Sequence, residues 1–332
     1  MQLIVSAAMS CRLLLLVLTA CFAIVFAAGA GNSTSDGTDL SDRIIGGFIP
    51  KKTPAFIAII LYGASAIVHW TQFFLVTPRR PFILTLTLGM TAMATGFILR
   101  VIFSDDPTSL GKYIAMDLPC LFLATDYMTF SRLVATFDTE VSDRCLLIRT
   151  SRIVKIFVWS DVSTFLLQST GGALTSSHNV SSANLGNKIA MIGLILQAAS
   201  FLLFTVILVV FRFRVLNHFP KVWRPNNTLG HRPFKLFSTE PIDDRRIVFY
   251  VTGATCVGIL VRSVFRVAEF AGGYTGTIAT HEGYFYLFDA LPLWISMTLY
   301  CFVWPIRALN THSEQSIMHS DSRMELQGRD YE

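Results

Sequence analysis

Residues 189–211 read IAMIGLILQAASFLLFTVILVVF, a run of 23 residues without a charged side chain. At about 1.5 Å of rise per residue, a helix of this length spans about 34 Å, enough to cross the roughly 30 Å hydrocarbon core of a bilayer. Because that core holds no water, the backbone must satisfy its own hydrogen bonds there, and a helix does so. The stretch therefore predicts a transmembrane helix.

Six further apolar stretches of similar length lie on both sides of this one. The seven predicted spans cover residues 55–76, 82–103, 113–137, 153–174, 189–211, 247–270 and 284–304. Of the 332 residues, 52% are hydrophobic and 15% are charged, against the roughly 25% charged that is typical of soluble domains. The sequence therefore predicts an all-α integral membrane protein with seven transmembrane helices.

An eighth apolar segment, residues 13–28, has a different character. Its 16 residues fall short of the roughly 20 that a span requires, and the small residues Ala28, Gly29 and Ala30 follow as a candidate cleavage site. We therefore expect residues 1–30 to be a cleavable signal peptide. An additional first helix is the alternative.

The distribution of basic residues predicts the orientation of the spans. With the N-terminus outside, the inner segments hold 17 Lys and Arg residues and the outer segments hold 5. This asymmetry follows the positive-inside pattern and places the C-terminus in the cytoplasm. A cleaved signal peptide would leave the new N-terminus on the same outer side, so we expect a multi-pass protein that reaches the plasma membrane through the secretory pathway.

The segments outside the membrane domain are polar. Residues 31–54 are expected to be a disordered extracellular segment, residues 55–305 the membrane domain, and residues 306–332 a disordered cytoplasmic tail. Asn32 and Asn179 begin N-glycosylation motifs on the predicted outer side. Asn226 begins another on the inner side, where it should stay unmodified.

Charged and polar side chains inside the predicted spans are candidates for binding an amphiphilic substrate. A charge near the bilayer centre costs at least about 2.5–3.5 kcal/mol, so each must face the bundle interior, water or a partner. Three of them share one face of the sixth helix, since they are spaced by four and three residues. The candidates are Arg262, Arg266, Glu269, Asp289, Glu282, Asp126, Arg132, Asp161, Gln168, His69 and Arg100.

Two interpretations of these residues stay open. A polar track inside apolar walls suits a lipid headgroup whose tail remains in the bilayer, because arginine matches phosphate and carboxylates match a sphingoid-type amine. The alternative is that the same residues form interhelical ion pairs and hydrogen bonds that hold the bundle together.

Several other functions lack their motifs. The chain contains no Gly-x-x-x-x-Gly-Lys-Ser/Thr loop, no His-Glu-x-x-His and no Gly-x-Ser-x-Gly, and its six cysteines lack metal-site spacing. We therefore predict no enzymatic activity, no catalytic residues, no metal and no other cofactor. The basic residues lie in short blocks between apolar runs, which does not suit nucleic acid. Membrane lipids and an amphiphilic substrate are the expected partners, and the oligomeric state stays open.

Three stretches near the sixth and seventh spans carry a family resemblance. They are RSVFRVAEF at residues 262–270, GGYTG at 272–276 and HEGYFYLFDA at 281–290, and QSTGG at 168–172 in the fourth span accompanies them. Together they resemble the signature of the fungal lipid-translocating exporter family, over about residues 62–305.

The resemblance implies a seven-helix protein with its N-terminus outside. It also implies translocation or export of a sphingoid long-chain base or phospholipid, and resistance to toxic lipids or drugs. A seven-helix receptor or sensor for an amphiphilic ligand is the alternative. A structural membrane protein that acts on lipid asymmetry through partners is a third.

Overall fold

The computed structural model describes residues 52–76, 81–105, 120–137, 141, 144–146, 150–175, 180–220, 245–271 and 282–307. Within these ranges the chain is helical and contains no strand. The predicted signal peptide lies outside the described residues, and so do Asn32, Asn179 and Asn226. The tail predicted over residues 306–332 is described only at Ile306 and Arg307, which are helical and buried against the bundle rather than disordered.

Seven helical segments follow one another along the described chain. They are α1 (Lys52–Leu75), α2 (Leu84–Asp105), α3 (Cys120–Val134), α4 (Thr150–Thr175), α5 (Val180–His218), α6 (Arg245–Ala271) and α7. A short 3₁₀ helix, Pro81–Ile83, leads into α2. The last segment, α7, consists of Glu282–Phe285, a π-helical turn at Tyr286–Ala290 and Leu291–Phe302. The prediction of an all-helical chain is confirmed for the described residues.

Five of these segments are long and apolar enough to cross a membrane. They are Lys52–Leu75, Pro81–Ile102, Ser181–His218, Arg246–Ala271 and Gly283–Arg307. The third helix is described over only 15 residues. The fourth has 26 residues, but Asp161, Gln168 and several hydroxyl side chains lower its hydropathy. A multi-pass membrane protein is established by the five, and the count of seven spans stays a prediction.

The fifth helix is much longer than its apolar run predicts. The sequence predicts a span over residues 189–211, whereas α5 continues from Val180 to His218 and contains 39 residues, or about 58 Å. Hydropathy identifies the part of a helix that lies in the lipid. It does not identify the polar turns by which the helix continues beyond the lipid. Residues such as Lys188 and Arg212 end the apolar run without ending the helix.

The bundle exposes large apolar side chains and buries charged ones, the reverse of what is usual in a soluble protein. Large apolar side chains such as Ile60, Ile67 and Val264 point outward and are 68, 69 and 68% exposed. Charged side chains such as Asp126 and Asp289 are buried. This arrangement fits a bundle surrounded by hydrocarbon, where apolar groups face the lipid and polar groups must find partners inside.

Small residues bring α4 and α5 into backbone contact. A Cβ on Gly171 would lie 2.5 Å from the amide nitrogen of Ala190 and 2.7 Å from the carbonyl oxygen of Gly186. A Cβ on Gly186 would lie 2.6 Å from the carbonyl oxygen of Gly171. Without a side chain at either position, the two helices pack at a distance that larger residues would prevent.

Candidate functional site

Asp289 in the π-helical turn lies between two arginines of α6. The Nε of Arg266 donates a hydrogen bond to Oδ1 of Asp289 at 2.9 Å, and the Nε of Arg262 lies 3.1 Å from the same oxygen. The side chains of Asp289 and Arg262 are only 2% and 9% exposed. The sequence places both arginines on one face of α6, and the structure shows that this face meets α7.

Glu269 extends this group toward the end of α6. A terminal nitrogen of Arg266 donates to Oε2 of Glu269 at 3.3 Å. The side chains of Arg266 and Glu269 are 15% and 17% exposed, more than those of Asp289 and Arg262. The group is therefore closed at Asp289 and partly open at Glu269.

Arg100 joins the same group from α2 through an aromatic ring. Its guanidinium carbon lies 4.2 Å from the ring centroid of Phe285, and that of Arg266 lies 5.5 Å from the same centroid. Cation–π contacts of this kind stabilise arginine where water is scarce. We name Arg100, Arg262, Arg266, Glu269 and Asp289 the arginine cluster.

The local sequence explains why Asp289 occupies a widened turn. Pro292 has no amide hydrogen, so the ordinary helical bond back to residue 288 cannot form. Just before it, the amide of Leu291 donates to the carbonyl oxygen of Tyr286, five residues back. Such π-helical turns are rare and occur frequently at functional sites. On the opposite helix, a Cβ on Gly258 would lie 2.9 Å from the carbonyl oxygen of Pro292.

The arginine cluster lies at one end of the bundle. Arg100 belongs to the last two turns of α2, Arg266 and Glu269 to the last two turns of α6, and Asp289 to the early part of α7. The hydroxyl of Tyr62 in α1 donates to the carbonyl oxygen of Ala290 at 2.8 Å and fixes α7 beside the cluster.

Asp126 occupies a separate position in the bundle. Its side chain is fully buried. The hydroxyl of Tyr300 in α7 donates to Oδ1 at 2.8 Å, and the hydroxyl of Thr255 in α6 lies 2.9 Å from Oδ2. Asp126 therefore connects α3 to the two helices that carry most of the arginine cluster.

Asp161 is buried in a different environment. It is 4% exposed, and neither carboxylate oxygen has a hydrogen-bond partner among the described residues. The hydroxyl of Tyr127 is near enough to interact with it electrostatically but is outside hydrogen-bond geometry.

The remaining predicted site residues lie elsewhere. The guanidinium of Arg132 stacks on Phe82 at 4.4 Å from the ring centroid, beside the start of α2. Phe82 is 18 residues before Arg100, or about 27 Å along the helix axis, so Arg132 lies near the opposite end of the bundle. Glu282 begins α7, and its side chain lies outside the described part of the chain.

Two polar candidates bridge helices rather than join the cluster. The ring of His69 is buried, stacks on Trp304 and has Nε2 at 3.4 Å from Sγ of Cys301. The side-chain amide of Gln168 in α4 donates to the side-chain oxygen of Gln197 in α5 at 2.9 Å. Both contacts link neighbouring helices.

Sequence reasoning missed the aromatic and hydroxyl groups around the charges. Phe285 precedes Asp289 by one helical turn, so its spacing could have placed it beside the cluster. Tyr300, Thr255 and Tyr127 carry no such signal, because their contacts with the aspartates depend on how separate helices pack.

These observations define a class: a multi-pass helical membrane protein whose bundle encloses a charged cluster between α2, α6 and α7. The comparison with known proteins makes the assignment more specific. A family model described as "RTA1 like protein" matches residues 86–312. The chain therefore belongs to the RTA1-like family, which confirms the family resemblance of the sequence.

Several Saccharomyces cerevisiae proteins are similar to this chain. Protein RTA1 is 32% identical over 250 residues, which cover 73% of this chain and 71% of that protein. Sphingoid long-chain base transporter RSB1 is 25% identical over 284 residues, covering 77% and 72%. Protoporphyrin uptake protein 1 is 29% identical over 213 residues, covering 62% of each. No solved structure matches the chain at a significant level.

Proposed function

We propose that this protein moves an amphiphilic lipid across the membrane, with a sphingoid long-chain base or a phospholipid as the substrate class. The arginine cluster binds the headgroup while the tail stays in the bilayer. The observation that supports this most strongly is the half-open arrangement of the cluster, closed at Asp289 and partly exposed at Arg266 and Glu269.

The charges of the cluster suit such a headgroup. Three arginines face two carboxylates, which leaves one formal positive charge. Arginine binds phosphate in a two-pronged geometry, and a carboxylate such as Glu269 pairs with a sphingoid amine. A sphingoid base transporter and a porphyrin uptake protein are both among the similar proteins, and each name refers to an amphiphilic compound.

The proposal includes the topology predicted from the sequence. Seven spans, an outer N-terminus after signal-peptide cleavage and a cytoplasmic C-terminus would place the protein in the plasma membrane. Movement of toxic lipids or drugs away from the cytoplasm would then give resistance. The chain acts without its own ATP hydrolysis. The remaining candidate residues have supporting roles outside the cluster: Arg132, Asp126, Asp161, Gln168, His69 and Glu282.

The test is lipid flip-flop in liposomes that contain the purified full-length protein. With fluorescent phytosphingosine or phospholipid, we expect faster exchange between leaflets than in protein-free vesicles. Arg266→Ala and Glu269→Gln should each slow it by about tenfold, which corresponds to one charged hydrogen bond of about 1.5 kcal/mol.

The matched control is Val264→Ala, because Val264 lies two residues from Arg266 but faces outward at 68% exposure. This variant should keep the wild-type rate. If the wild-type protein binds phytosphingosine tightly without accelerating exchange, the proposed translocation is wrong and the receptor alternative is favoured.

A further inference from the structure

Asp161 in α4 is a carboxylate that lies almost wholly buried inside the bundle. Among the described residues, no hydrogen-bond donor reaches either oxygen. The nearby hydroxyl of Thr164 donates instead to the backbone carbonyl of Asp161 at 3.0 Å. An ionised carboxylate is strongly disfavoured in such a place, whereas a protonated carboxylic acid is tolerated.

Tyr127 provides a second unsatisfied group beside it. Its hydroxyl is fully buried and has no hydrogen-bond partner among the described residues. The aromatic rings of Phe157, Phe201 and Phe204 pack around the Tyr127 ring at 5.4, 6.1 and 4.6 Å between centroids. These rings give the Tyr127 side chain a largely aromatic environment.

The titratable groups around this position come from three helices. Tyr127 and Asp126 belong to α3, Cys256 to α6 and Tyr300 to α7, and Tyr127 interacts electrostatically with Asp161, Asp126 and Cys256. No basic side chain of the described chain pairs with Asp161. A proton taken up from solution would neutralise it.

We propose that Asp161 is a proton-binding site and that it takes up and releases one proton during each lipid translocation. The proton adds to one carboxylate oxygen to form an O–H bond and later returns to water, with no other bond changed. A metal cation would need several oxygen ligands, and the described residues contain no group of three His, Cys, Asp or Glu side chains that could hold one. Buried carboxyl groups in transport proteins commonly act as such proton carriers.

The structure supplies a physical connection from Asp161 to the arginine cluster. Tyr127 lies beside Asp161 and directly follows Asp126 along the chain. Asp126 is in turn contacted by Thr255 of α6 and Tyr300 of α7. Thr255 precedes Arg262 by seven residues, which is about two helical turns or 10 Å. A change of charge at Asp161 can thus alter how α3 holds the two helices that carry the cluster.

This inference rests on the proposed function, so its test must separate the two. Full-length protein is placed in liposomes that enclose a pH-sensitive dye, with the membrane potential held by potassium and valinomycin. The probe is a quaternary ammonium analogue of phytosphingosine, which cannot carry a proton across by itself. Flip-flop of the probe and the internal pH are recorded together.

We expect the wild-type protein to move protons in step with the probe. Asp161→Asn should abolish the probe-driven pH change, whereas Ile156→Ala, at an outward position of the same helix that is 50% exposed, should retain it. Size-exclusion profiles of all three proteins confirm folding. Flip-flop without any pH change, or a pH change that survives Asp161→Asn, overturns the inference and leaves the proposed function intact.

A second measurement covers the case in which the wild-type protein does not move the probe. That result contradicts the proposed function and, with it, proton coupling. Infrared difference spectra between high and low pH then test proton binding alone. A carboxylic-acid C=O band that disappears in Asp161→Asn supports the proton site, and an unchanged spectrum refutes it.

Discussion

At the scale of the residue, the arginine cluster depends on one carboxylate. Oδ1 of Asp289 accepts a hydrogen bond from the Nε of Arg266 at 2.9 Å and lies 3.1 Å from the Nε of Arg262. The side chain of Asp289 is nearly fully buried. Removing one partner of a buried ion pair leaves an uncompensated charge in a poor solvent. Glu269 contacts Arg266 at 3.3 Å, and its side chain is more exposed.

These two carboxylates should therefore differ strongly in their effect on stability. We predict that Asp289→Ala lowers the free energy of unfolding by about 3–5 kcal/mol, because two arginines lose their common partner. Glu269→Gln should cost less than about 1 kcal/mol, since a partly exposed pair is screened. Thermal unfolding in detergent measures both, and equal losses would contradict this account of the cluster.

The sequence anticipates part of this site. Spacing places Arg262, Arg266 and Glu269 on one face because the period of a helix is fixed. It does not identify Asp289 as their partner, since the register between α6 and α7 depends on the π-helical turn and on Gly258. Nor does it show that the Asp161 carboxylate has no hydrogen-bond partner among the described residues, because that depends on how several helices pack together.

At the scale of the element, the bounds of a helix are predictable where they coincide with the ends of its apolar, membrane-spanning run. The predicted spans 55–76 and 247–270 agree within a few residues with Lys52–Leu75 and Arg245–Ala271. The ends of α5 are not predictable in this way, because the helix continues through polar residues that hydropathy assigns to loops. Helix–helix distances depend on single glycines whose role appears only in the packed structure.

Gly171 and Gly172 provide a matched pair for testing that packing. A Cβ on Gly171 would meet backbone atoms of α5 at 2.5–2.8 Å, whereas one on Gly172 would meet nothing within 4 Å. We predict that Gly171→Ala destabilises the protein by about 1–3 kcal/mol through overpacking. Gly172→Ala should be neutral or should stabilise by up to about 1 kcal/mol, the gain in helix propensity.

Thermal unfolding of the two alanine variants in detergent gives the comparison directly. A loss of stability in Gly172→Ala that matches the loss in Gly171→Ala would show that α4 and α5 do not make the close backbone contact described above.

At the scale of the whole molecule, the distribution of basic residues predicts the orientation of the bundle, and glycosylation tests that prediction. We predict that glycosidase treatment lowers the mass of the protein expressed in a fungal host. The double substitution Asn32→Gln and Asn179→Gln should remove that shift, and Asn226→Gln should not affect it. A glycan on Asn226 would place that segment outside and reverse the topology.

The central claim is that the arginine cluster receives a lipid headgroup. The most direct measurement is photolabelling of the full-length protein in membranes with a sphingosine that carries a diazirine beside its amine. We predict labelled peptides from residues 262–271 of α6 and 284–291 of α7, with labelling reduced by unlabelled phytosphingosine and by Glu269→Gln. Labelling confined to outward positions such as Val257 and Leu203, with no competition, would contradict the claim.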